Sequence, residues 1–196
     1  YQSYGDERVL EECWKCMHEW VDYITERTNE NGLWMSGYQY GDWLALDREQ
    51  GDSSVGATDV YLVANAYYSH IADIVSKTAQ ILGKEEESKS YHKLHERIVD
   101  SFQKEYYTER GRIVSETQTG CVLSLYFDLA RKKDREGILR RLVENIEKHK
   151  THLTTGFVGT PYLCHALSDN GAHDMASALF LKEDYGQKKI GNKVLN

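Results

Sequence analysis

One proline in 196 residues leaves the chain almost without its strongest helix breaker, so long uninterrupted helices are expected. Strand signals are nearly absent: only Ile113-Val114, after the Arg110-Gly111-Arg112 turn, reads as a short extended run. No apolar stretch reaches the roughly 20 residues needed to span a bilayer, and the N-terminal residues lack the charged, apolar and cleavage segments of a secretory signal. Basic residues are outnumbered 24 to 31, a net charge of −7, which argues against nucleic acid or an anionic membrane surface as partner. There is no phosphate-cradling glycine loop, no Gly-x-Ser-x-Gly elbow and no zincin motif, and no cofactor is expected. Four cysteines do not make a disulfide framework at this length. Cys13 and Cys16 have the spacing of a redox or zinc pair, yet they sit in a helical pattern with no second close pair. Cys121 and Cys164 lie alone on apolar faces. All four are expected to be buried free thiols. Free thiols favour a cytoplasmic setting, with the periplasm or secretion as the alternative.

What the sequence does hold is aromatic residues, 14 tyrosines and 4 tryptophans among them, with 40% hydrophobic and 28% charged residues. That composition suits one globular domain or part of a larger one, able to bury roughly 70% of its unfolded surface. Apolar residues recur at helical steps through most of it. Leu10, Cys13, Met17, Trp20 or Val21, and Ile24 predict a helix over 6–28, with Asp6 as N-cap and Asn31-Gly32 as stop. A longer helix is predicted over 57–82, its main stripe Val60, Ala64, Tyr67, Ile71, Ile74, Thr78 and Ile81, with Leu62, Val63, Ala66 and Val75 apolar elsewhere. Such a helix is buried on more than one side. Gly83 closes it. A more amphipathic helix follows over 85–106, facing inward with Tyr91, Leu94, Ile98, Phe102 and Tyr106. Further helices are expected from Thr117 or Thr119 to about Arg131, after Asp134 through Ile146, from the Thr160-Pro161 start to Asn170-Gly171, and through Met175 and Phe180. No fixed-period repeat is present. The pattern predicts an all-α fold of antiparallel helix pairs in which inner and outer helices alternate.

Between the first two helices lies Gly37-Tyr38-Gln39-Tyr40-Gly41-Asp42-Trp43-Leu44-Ala45. Its two glycines suit neither helix nor strand, so it reads as a constrained loop. Aromatic faces beside a carboxylate suit a sugar, whose C–H faces stack while the acid accepts from hydroxyls; equally, the aromatics could plug a helix-to-helix connection. Asp42, Asp59 and Glu116 are the loop carboxylates available for acid–base work. Each has a structural alternative: Asp42 tying its own loop, Asp59 capping a helix, Glu116 solvated beside the next cap. His92/His95 and His149/His152 stand at i,i+3, but their charged surroundings and lack of a companion carboxylate read as solvated histidines, not metal ligands.

The runs YGDWLAL, VANAYYSHIADIVSKTAQILGK, ETQTGCVLSLYFDL and GFVGTPYLCHALSDNGAHDMA, in that order, resemble the catalytic domain of bacterial α-L-rhamnosidases, from about Tyr4 to Tyr185. The resemblance implies part of an α/α toroid of the six-hairpin glycosidase type, residues 1–196 forming a single, partial domain. Seven helices make little over half of such a toroid, so the chain is expected to be a piece of a longer one. It also implies a rhamnose-containing glycoside as partner and an inverting acid–base reaction. In the family the general acid lies in a motif of the type DCPxRxERxGWxGD upstream of the matched region, and no such run occurs here. The general base is a glutamate on a loop after the last matched helix, where this sequence instead reads GQKKIGNKVLN. No catalytic residue is therefore assigned within this chain. The residue carried over is Trp43, which corresponds to a tryptophan lining the rhamnose pocket; Asp42 travels with it, binding sugar hydroxyls or shaping the loop. Tyr40 stands where phenylalanine is frequent, and Gln118 and Thr160-Pro161 match positions read as structural. Inner helices lacking their covering pairs predict an exposed apolar patch and self-association. The rival reading is a non-catalytic helical module that binds a glycan or a protein.

Overall fold

Helical periodicity becomes seven α-helices in the computed structural model, which describes residues 1–48 and 54–183. They are α1 (Arg8–Thr25), α2 (Val60–Ile81), α3 (Glu85–Tyr106), α4 (Gln118–Tyr126), α5 (Arg135–Lys148), α6 (Thr160–Asp169) and α7 (His173–Phe180), with a 3-10 turn over Lys132–Asp134. The middle of the polar 46–56 excursion and the basic tail lie outside the described residues. Among the described residues no strand forms: the expected Ile113-Val114 run contributes one isolated bridge, Tyr107 to Ile113. No helix among them is long and apolar enough to cross a membrane.

Helices α2, α4 and α6 form the inner layer: α2 packs on α4 and α4 on α6, while α1 and α3 cover α2, α5 covers α4 and α7 covers α6. The apolar content of each helix explains its place. Eight of the nine residues of α4, Gln118 through Leu125, are buried, which only a helix enclosed on all sides can sustain. The amphipathic α3 and α5 bury single stripes, Ile98, Phe102 and Tyr106 in one and Ile138, Leu142 and Ile146 in the other. The main core runs from Leu33 and Leu62 through Phe102, Cys121, Leu125 and Leu142 to Leu167 and Leu179. A smaller core joins Val21 and Ile24 of α1 to Tyr68, Ala72 and Val75 of α2 and Ile98 of α3.

Some helix ends follow the expected chemistry. Asp59 accepts from the Leu62 backbone N–H at 2.7 Å, and Thr117 accepts from Gly120 at 3.0 Å, each satisfying an orphan donor of a first turn. Others depart from it. The cap position of α1 is Glu7, with Asp6 one residue back, where its carboxylate accepts from the Arg8 N–H at 3.0 Å. α1 ends at Thr25, before Asn31-Gly32, and Asn29 then turns the chain by accepting from both the Asn31 and Leu33 N–H groups. Asp134 precedes α5 but spends its carboxylate on the Arg131 guanidinium. α6 starts one residue sooner than expected, with Gly159 at the cap and Thr160 bonded back to Thr155 at 2.8 Å.

The packing face of α2 is also a correction. Buried are Leu62, Val63, Ala66, Tyr68, Ala72, Val75 and Ala79, and of the expected stripe Thr78, whereas Val60, Ala64, Tyr67, Ile71 and Ile81 are half-buried and Ile74 is exposed. A helix apolar on two sides does not reveal which side its neighbours in this chain will fill. The thiols differ likewise. All four cysteines are free, but Cys13 and Cys16 face solvent on α1, Cys164 is half-buried and only Cys121 is buried.

Candidate functional site

The chain segments that lead into α2, α4 and α6 meet at one end of the inner layer, and the aromatic loop lies across them. Its backbone is sharply bent, with φ of 57° at Gly41 and 59° at Leu44; at Leu44 the left-handed conformation carries a side chain and is strained. The loop is tied to two neighbouring segments. Towards α2, the Gly56 N–H donates to the Asp42 carbonyl at 2.9 Å, the Leu44 N–H to Ser54 at 2.6 Å, and Trp43 bridges Val55. Towards α6, the Leu46 N–H donates to the Thr154 carbonyl at 2.8 Å and the Phe157 N–H to the Trp43 carbonyl at 2.9 Å.

Asp42 lies at the centre of this junction, 0% exposed. Its carboxylate accepts from the backbone N–H groups of Gly156 (2.8 Å) and Val158 (3.1 Å) and from the Thr119 hydroxyl. Burial of a carboxylate is tolerated only when its lone pairs are met by donors, and here they come from three other residues of the chain. The segments fit too closely for side chains. A Cβ at Gly156 would stand 2.7 Å from the Ala45 nitrogen and 2.7 Å from the Asp42 Oδ1, and one at Gly159 would meet the Thr119 Oγ1 at 2.6 Å. Gln118 clamps the segment before Gly156, accepting from the Thr154 N–H at 2.8 Å and donating to the His152 carbonyl at 3.1 Å. The Tyr67 hydroxyl donates to the Val158 carbonyl at 3.0 Å. Burial holds that hydroxyl well above the ordinary tyrosine range, with Tyr162 beside it adding to the shift, so it remains a donor.

On the outer surface of this junction the Trp43 indole is 36% exposed. Tyr40 meets it edge to face at 6.3 Å and 78°, and Tyr38 meets Tyr40 at 5.1 Å and 86°. Tyr38, Tyr40, Leu44, Leu46 and Phe157 are all exposed around it. The result is an apolar, partly aromatic surface over a buried carboxylate. Two hollows, of about 580 and 240 Å³, lie elsewhere, along α3, lined by residues such as Ser90, Lys93, Arg97 and Gln103.

The remaining sequence candidates are engaged in structure. Asp59 caps α2. Glu116 is held by Arg112 through two bonds of 2.9 and 2.7 Å and by Arg141 at 2.9 Å, and the Arg112 guanidinium keeps its carboxyl below the usual range. His95 bonds Ser69, His149 the Asn145 carbonyl and His152 the His149 carbonyl, while His92 lies 3.7 Å from Glu96. Among the described residues no cluster of His, Cys, Asp and Glu could hold a metal ion. The sequence alone does not mark Thr119, Gly156 or Gly159 as site residues. The available signal was two glycines just before a helix start, the mark of close backbone approach.

An inner layer of three helices, covered by outer ones and carrying an aromatic loop at one end, is the arrangement of part of an α/α toroid of the six-hairpin glycosidase type. Residues 1–187 match the bacterial alpha-L-rhamnosidase 6 hairpin glycosidase domain, and the chain belongs to that family. It is 33% identical over 187 residues to an alpha-L-rhamnosidase of Formosa agariphila, covering 94% of this chain and 20% of that one. With an alpha-L-rhamnosidase of Streptomyces avermitilis it shares 36% identity over 179 residues, covering 91% and 16%. Among solved structures, the alpha-L-rhamnosidase of Aspergillus terreus superposes with a TM-score of 0.86 at 35% identity, covering 91% of this chain and 21% of that one. That of Streptomyces avermitilis, complexed with L-rhamnose, gives 0.82 at 32%, covering 93% and 17%. The chain thus spans about a fifth of the length of these relatives.

Proposed function

We propose that this chain contributes the Trp43 wall of a rhamnose-binding pocket to an enzyme that removes terminal α-L-rhamnose from glycosides by inversion. The observation that carries the reading is the partly exposed indole at the junction of the segments entering α2, α4 and α6. A relative of the same fold is known in complex with L-rhamnose. Rhamnose is a deoxy sugar, and its methyl group adds apolar surface for an aromatic wall, about 0.8 kcal/mol for the buried carbon. Inversion requires an acid and a base roughly 6.5–9.5 Å apart on opposite sides of the bond. The loop carboxylates of this chain are unsuited to either role: Asp42 is enclosed by donors, Asp59 caps a helix and Glu116 is paired with two arginines. In line with what the family resemblance implies, both catalytic carboxylates are assigned to residues outside this chain. Asp42 lies buried beneath the Trp43 wall and ties its loop to the neighbouring segments.

The test is hydrolysis of an aryl α-L-rhamnoside. The chain alone is expected to be inert, and the longer protein that contains it active. Trp43→Ala in the latter should lower kcat/KM about 10- to 100-fold, the cost of removing a large aromatic contact. Turnover unchanged by Trp43→Ala would contradict the assignment.

A second reading, a non-catalytic glycan- or protein-binding module, draws on the exposed ring set Tyr38, Tyr40 and Phe157 and would be favoured by tight binding of a protein ligand with none to sugars. In either case half-buried Ile71 and exposed Ile74 of α2, together with exposed Phe180 and Leu181, are expected to drive self-association of the isolated chain, read by sedimentation. A strictly monomeric sample would count against this.

A further inference from the structure

We infer that Asp42 is a positioning residue: from a site closed to solvent, its carboxylate sets where the Trp43 indole stands. The inference rests on Trp43 being the sugar wall and assigns its neighbour a role without sugar contact. Residues 156–158 are held twice, by the Asp42 carboxylate through the Gly156 and Val158 N–H groups and by the Trp43 carbonyl through the Phe157 N–H. The same carboxylate takes the Thr119 hydroxyl from the first turn of α4, while the Asp42 carbonyl takes the Gly56 N–H from the approach to α2. One residue thus gathers the approaches to all three inner helices, and the next residue in the chain is Trp43. The backbone N–H groups of Gly156 and Val158 donate one to each carboxylate oxygen, and the Thr119 hydroxyl shares the oxygen that Gly156 uses. An amide in its place has one oxygen for three donors and turns an NH2 group towards a backbone N–H. A sugar hydroxyl would have to displace one of these partners from a site with no exposed surface.

Thr119 gives the cleanest perturbation, because valine has the same shape and lacks the hydroxyl. The chain is prepared with Thr119→Val, Thr119→Ser, Asp42→Asn, Trp43→Phe and Trp43→Ala. Two quantities are read: the indole N–H cross-peak of Trp43, assigned by its loss in Trp43→Phe, and the affinity for L-rhamnose in an NMR titration. Thr119→Val is expected to shift that cross-peak and weaken rhamnose about tenfold, a change of about 1.4 kcal/mol in binding. Thr119→Ser should restore both, and Asp42→Asn should exceed Thr119→Val if it folds. A residue that merely stabilised the fold would lower the melting temperature and move neither quantity in the folded protein. The inference is overturned if Thr119→Val leaves rhamnose affinity and the cross-peak unchanged while Trp43→Ala abolishes binding. If Trp43→Ala leaves binding unchanged, the sugar-wall reading falls instead, and the cross-peak alone decides whether Asp42 holds the ring.

Discussion

Replacing Gly156 with alanine adds one methyl group where the aromatic loop and the approach to α6 touch. The backbone of Gly156 is not in the left-handed region, so alanine adopts it without dihedral penalty and the cost is purely steric. The new Cβ stands 2.7 Å from both the Ala45 nitrogen and the Asp42 Oδ1, and closer still to the Trp43 carbonyl oxygen, where ordinary contact begins at 3.4 Å. Relief requires the segments to part by more than 0.7 Å, because 3.4 less 2.7 Å clears only the two longer contacts and the Trp43 carbonyl oxygen stands nearer. The 2.8 Å bond from Gly156 to Asp42 and the 2.9 Å bond from Phe157 to Trp43 then lengthen towards the limit of hydrogen bonding. Losing one hydrogen bond to a buried carboxylate costs about 1.5–3 kcal/mol, and overpacking adds about 1–3. A destabilisation of about 3–5 kcal/mol corresponds, at about 2–4 °C per kcal/mol, to a melting temperature lower by roughly 10 °C. Thermal unfolding followed by far-UV circular dichroism measures it. Gly137→Ala is the control: its Cβ meets only Arg141 Nη1, at 3.5 Å, and alanine in a helix should raise stability by up to about 1 kcal/mol. If Gly156→Ala melts with the wild type, the close junction is wrong.

Removing the α2 cap with Asp59→Ala should cost about 1 kcal/mol, seen as a lower urea midpoint with unchanged slope. A thiol reagent should modify Cys13 and Cys16 rapidly in the native chain, with Cys121 reacting only on unfolding; burial pushes that thiol up to about 12, so it stays protonated and inert. Glu116 has its folded pKa lowered from 4.5 by Arg112, so its contribution is fully present above 4.5 and is lost as pH falls below that value through the folded pKa. Because the pair is partly exposed, that loss should be below about 1 kcal/mol and should vanish in Glu116→Gln, as pH-dependent melting would show.

Much of the fold was legible because local chemistry dictates it. The stripe of Ile138, Leu142 and Ile146, the Asp59 and Thr117 caps and the stop at Gly83 depend on residues within a turn or two of one another. What escaped depends on distant partners. Asp134 looks like a cap until the Arg131 guanidinium claims it, and Cys13 looks inward until α1 takes its rotation from Val21 and Ile24. On α2 the sequence shows two apolar sides but not which is packed. The site follows the same division. Trp43 stood out as an aromatic in a constrained loop, whereas the partners of Asp42 lie 77, 114 and 116 residues away. Nothing near position 42 announces them.

The most direct measurement is a titration of the chain with L-rhamnose, followed through the indole N–H resonances of its four tryptophans. The account predicts that the Trp43 resonance moves most and that Trp43→Ala abolishes or strongly weakens binding. Rhamnose bound equally well by Trp43→Ala, or bound with the Trp43 resonance unmoved, would contradict it.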